Sequence, residues 1–290
     1  MLWFKKQPSA TGGSVAEGEA ILPVSLAVAL DARIFREKFA VFLELLGDGG
    51  GVDPYLDALG NKSRLYRSLL DRPAIEALNR EKVETLLETV MPARKRLGPA
   101  LAAMDESLLV AAVKQLLSGR AELEERMNAF VASIPPDVAE DAKAAKKTQR
   151  AAWDFAAEML HFRAPAQYPL MTRWVWDQGT LSGAMRELLA GGDTLNQIPL
   201  GTSPGVYAAG RDWVAQQMAE RGVYREPHFA VDLFLAHAYA DYMRAMSSGM
   251  GLMSADFGAK ADPLEPVKKL LGIDHVRRSG ESRVRKAVLH

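Results

Sequence analysis

Residues 30–46 read LDARIFREKFAVFLELL, and the spacing of their apolar side chains decides the fold class. Leu30, Ile34, Phe35, Phe39, Phe42, Leu43 and Leu46 recur at steps of three and four, while Arg33, Arg36, Glu37 and Glu44 fall off that stripe. A period near 3.6 belongs to a helix with one buried face; a half-buried strand would alternate at every second residue. Gly47-Asp48-Gly49-Gly50-Gly51 stops the pattern, since glycine accepts the left-handed cap and then loosens the chain. The triple glycine is not read as a phosphate loop. No strand precedes it, and Val52-Asp53-Pro54 stands where Gly-Lys-Ser/Thr is required.

The same spacing continues downstream. Leu65, Tyr66, Leu69 and Leu70 mark one helix, and Val83, Leu86, Leu87, Val90 and Leu97 a longer pattern containing Pro92. That proline must kink or divide the helix, because it lacks an amide hydrogen and its ring crowds the carbonyl four residues back. Leu108, Leu109, Val113, Leu116 and Leu117 mark the next element, and Leu123, Met127, Phe130 and Val131 another, closed by Pro135-Pro136. Asp137-Val138-Ala139-Glu140 reads as a capping box, opening a helix whose inner seam is small: Ala142, Ala145, Ala152 and Ala156. Ser203-Pro204 predicts an N-cap with a first-turn proline. Pro227 opens a last long helix whose Val231, Phe234, Leu235, Ala238, Tyr239, Met243 and Met246 leave no polar face, which predicts a central position. No alternating β-branched runs with tight turns occur. The expectation is an all-α, multi-helix array of two packed subdomains, 21–136 and 137–258. A flexible lead, 1–20, precedes them, and a basic tail, 259–290, follows with a short helix at Leu264 to Leu271.

Composition narrows the function. The 290 residues are 48% hydrophobic and 25% charged, with 36 basic against 36 acidic side chains. A balanced charge gives no global field toward nucleic acid or anionic lipid. The absence of cysteine excludes disulfides, thiolate metal sites and a cysteine nucleophile. No apolar run reaches the roughly 18–20 residues that span a bilayer. Met1-Leu2-Trp3-Phe4-Lys5-Lys6 places apolar residues before charges, the reverse of a secretory signal, so a cytoplasmic location is expected.

Three groups of residues are candidates for function. Arg163, Tyr168, Arg173, Trp174, Trp176 and Asp177 combine the side chains most frequent at binding hot spots and are expected to form an exposed surface for a protein partner. Glu158 and His161 form a Glu-x-x-His pair of the kind found in carboxylate-bridged helical metal sites. His228 with Asp232, or His237 on the other side of the last helix, could complete an iron or manganese centre. Lys143, Lys146, Lys147 and Arg150, with Arg277 and Arg278 in the tail, form a candidate nucleic-acid contact. The leading expectation is a non-enzymatic binding, adaptor or assembly-accessory protein with no cofactor and a protein partner. A metal-dependent enzyme and a nucleic-acid-binding protein are the alternatives, and self-association stays open.

Overall fold

The computed structural model describes residues 21–48, 50–135, 142–192, 196–249 and 263–273. Among the described residues there are ten α-helices: α1 (Ala32–Asp48), α2 (Asp53–Leu70), α3 (Arg80–Leu87), α4 (Met91–Ala103), α5 (Glu106–Ser118), α6 (Leu123–Ser133), α7 (Ala142–Arg163), α8 (Pro204–Ala219), α9 (Pro227–Gly249) and α10 (Glu265–Leu270). Extended pairing among the described residues is limited to two isolated bridges, Leu30 with Leu189 and Asp177 with Ser182. The fold is all-α.

Local chemistry sets the helix ends. Asp105 caps α5 by accepting from the amides of Ser107 and Leu108, and Asn79 caps α3 by accepting from Lys82. Pro92 divides the pattern rather than kinking it: α3 stops at Leu87 and α4 opens at Met91 with the proline in its first turn, where a missing amide hydrogen costs nothing. Ser203 and Pro204 open α8, although the serine hydroxyl makes no capping bond. The capping box at Asp137 lies outside the described residues.

Helix α7 is the hub. It packs against α2, α4 and α6, and its Ala151, Ala152, Ala156 and Ala157 are all buried, so neighbouring backbones approach closely. The regions before and after Pro135-Pro136 therefore share one hydrophobic core. On its other side α9 packs on α1, α2 and α8, with Phe234 against Phe35, Phe39 and Phe42 at ring separations of 4.9–5.8 Å.

Two expectations are corrected. Met243 and Met246 are 46% and 44% exposed, because α9 is enclosed only from Phe229 to about Ala240. Within the basic tail 259–290, the short helix expected at Leu264 to Leu271 is present as α10, but it is not solvated: it lies against α9 and α4, burying Leu264, Val267, Leu271 and Ile273.

Candidate functional site

A cluster of buried charge lies where α2, α7 and α10 meet. On α2, Leu59, Lys62 and Tyr66 follow one another at steps of three and four, so the lysine falls on the apolar stripe and is carried inside. Its ammonium donates to Glu158 Oε2 at 2.6 Å, to the Leu271 carbonyl at 2.8 Å and to the Thr89 carbonyl at 3.2 Å. It also stands 4.1 Å from the centre of the Phe162 ring. Both members of the Lys62–Glu158 pair are sealed from solvent. Burial pushes the Glu158 carboxyl above its ordinary range, and the Lys62 ammonium opposes that shift. The Tyr66 hydroxyl bonds to Thr89 Oγ1 at 2.9 Å, and burial raises its pKa well above the ordinary phenol value.

Lys62 thereby ties the carbonyl end of α10 to the turn after α3. The close fit there depends on Gly272, which takes φ +67°; a Cβ at this position would stand 1.7 Å from the Thr89 carbonyl oxygen. No L side chain can occupy that position without moving one of the two chains.

One turn along α7, His161 is also sealed. A carbonyl only accepts, so the Nδ1 contact of 2.8 Å with the Tyr168 oxygen puts the ring hydrogen on Nδ1. The other nitrogen, Nε2, lies 2.8 Å from Asp232 Oδ2 of α9. Neither of those two atoms has an aligned hydrogen-bond partner. Asp232 also borders a cavity of about 10 Å³ with Tyr207 and Arg211, room for about one water.

The proposed metal ligands divide accordingly. Glu158, His161 and Asp232 come together, but the cation beside Glu158 is Lys62. His237 faces α1 instead, with its ring 5.4 Å from that of Phe42 and Nε2 3.4 Å from Asp241. His228 sits at the start of α9 in the field of Arg211 and Asp232, and burial lowers its pKa. Among the described residues no three His, Asp or Glu side chains are placed to hold a metal ion.

The aromatic segment is corrected from an exposed surface to an internal seam. Tyr168, Trp174 and Trp176 are buried. Trp176 donates to the Leu200 carbonyl at 3.2 Å, and its own carbonyl accepts from the Tyr207 hydroxyl at 2.9 Å. The guanidinium groups keep some exposure but are occupied. Arg173 grips Asp154 through Nε at 3.1 Å and Nη2 at 2.7 Å, and Arg163 donates to Asp71 at 2.9 Å. Asp177 closes its own turn by accepting from the Gly179 amide. The physical reason is local: the segment packs among α7, α8 and α9, where the indoles are buried, and Arg173 and Arg163 each meet a carboxylate.

Of the basic candidates, Lys143, Lys146, Lys147 and Arg150 lie exposed along the first turns of α7. Arg277 and Arg278 fall outside the described residues. Sequence reading missed Lys62, Thr89 and Gly272. The signal for Lys62 was present, as a lysine on an apolar stripe, but its contact with Leu271 spans 209 positions and leaves no trace in spacing.

No protein-family model, curated protein or solved structure matches this chain. No helix among the described residues is long and apolar enough to cross a membrane.

Proposed function

We propose that the chain is a helical binding protein that works by seating a short amphipathic helix from a protein partner in the groove bounded by α2, α4 and α9. The observation that carries this reading is the way the chain holds its own α10. Four apolar side chains of residues 264–273 enter the body, and a buried ammonium donates to the carbonyl at the end of the helix. A six-residue helix is too short to persist alone in water, so the groove supplies the order that α10 has. Apolar anchors at helical spacing in a groove are a recurrent mode of peptide recognition. Tyr168, Trp174 and Trp176 are buried in the core and are not the surface offered to the partner.

The test uses the full chain with Val267→Asp and Leu271→Asp, which place charge where α10 enters the body. A labelled peptide of residues 263–274 is expected to bind this variant saturably and to bind the parent chain far more weakly, because there the groove is filled. Absence of binding to a variant with native helical content and a cooperative melt overturns the reading.

A further inference from the structure

We propose that the groove selects a helix closed by glycine, with Lys62 and the Thr89 carbonyl as the specificity-determining pair. The inference rests on the helix-in-groove reading and names the class of segment a partner must present.

Two independent constraints meet at the end of α10. The first is electrostatic. Among the oxygen acceptors of Lys62, the carbonyls of Thr89 and Leu271 stand just past helix ends, where helical bonding stops. The last carbonyls of a helix have no partner within it. A buried ammonium that loses an acceptor is left under-satisfied, which is costly. The pocket therefore favours an occupant that brings a free carbonyl to Lys62 and disfavours a helix that continues through the site.

The second constraint is steric. The residue after that carbonyl turns into the left-handed region at φ +67° with its Cα pressed against the Thr89 oxygen. Glycine alone meets both demands, since any Cβ would stand 1.7 Å from the oxygen. Thr89 cannot easily retreat. Its hydroxyl is held between the Leu86 carbonyl at 2.8 Å and the Tyr66 hydroxyl at 2.9 Å, and Tyr66 is itself buried. The rule for a ligand follows: apolar residues at the places of Leu264, Val267 and Leu271, then glycine, then an apolar residue at the place of Ile273.

Two measurements test the rule. In the undocked variant described above, peptide 263–274 and the same peptide with Gly272→Ala are titrated side by side. At least tenfold weaker binding of the alanine peptide is expected. Equal binding overturns the glycine rule while leaving the groove reading intact; binding of neither overturns both.

The second measurement uses the full chain without added peptide. Because it has no cysteine, Lys269→Cys on the half-exposed side of α10 accepts a single fluorophore. Adding Gly272→Ala is expected to lower the fluorophore's anisotropy, as α10 leaves the groove, with helical content otherwise kept. Unchanged anisotropy overturns the proposal.

Discussion

Lys62 shows how one side chain can be both a cost and a constraint. Its charge is removed from water and met inside by Glu158, two carbonyls and the Phe162 ring. Breaking such a pair from one side leaves the other charge uncompensated, whereas replacing both by apolar groups of similar shape is often neutral. Lys62→Met is expected to lower unfolding free energy by about 3–5 kcal/mol. The double change Lys62→Met with Glu158→Met is expected to recover most of that loss in urea titrations. Equal destabilisation by the single and double variants would show that the pair is not coupled. His237 carries a different sensitivity. It is buried against Phe42, neither ring nitrogen has a hydrogen bond, and burial lowers its pKa below the ordinary histidine value. Asp241 on α9 opposes that shift, while Arg244 on α9 and Lys38 on α1 reinforce it. The unfolded chain therefore takes up this proton at a higher pH than the folded chain does. The stability contribution is complete above the unfolded value, near 6.5, and is lost as pH falls below it toward the folded value. Melting temperature is expected to fall more between pH 7.5 and 5.5 (roughly one unit either side of that value) in the parent than in His237→Gln. Parallel pH profiles would refute the assignment.

At the level of elements, periodicity was a sound guide wherever one face met the core. Phe35, Phe39, Phe42 and Leu46 of α1 are buried as their spacing predicts, and Val83, Leu86 and Leu87 of α3 follow the same rule. Spacing failed where burial depends on which neighbour arrives. Leu108 shares a stripe with Leu109 in the sequence yet is 63% exposed, because the buried edge of α5 runs through Leu109, Val113, Leu116 and Leu117. Tyr168, Trp174 and Trp176 failed in the other direction. Their composition suits an exposed hot spot and an internal seam equally, and only the approach of α8 and α9 distinguishes the two. The short helix α10 was legible from Leu264 to Leu271, but its docking was not. Nothing in local spacing indicates that a segment after residue 262 returns to meet Lys62 and Thr89.

Over the whole molecule, long-range contacts join the ends of the described chain to its middle. Val24 donates its amide to the Gly205 carbonyl at 3.2 Å, Asp31 donates to Leu188 at 2.8 Å, and Leu271 reaches Lys62. The charged clusters are mutually neutralised inside, with Arg173 on Asp154 and Lys62 on Glu158, in keeping with equal numbers of basic and acidic residues overall. The hub position of α7 has a practical corollary. Severed between 135 and 142, the polypeptide becomes two pieces, one lacking the rod that fills its centre and the other lacking the wall that rod leans on. Produced separately, each piece is expected to be insoluble or molten; produced together, they should reassemble into a soluble pair that co-elutes from a sizing column. Such reconstitution would turn the chain into a split reporter, and an independently soluble, sharply melting first piece would show that its core closes without the rod.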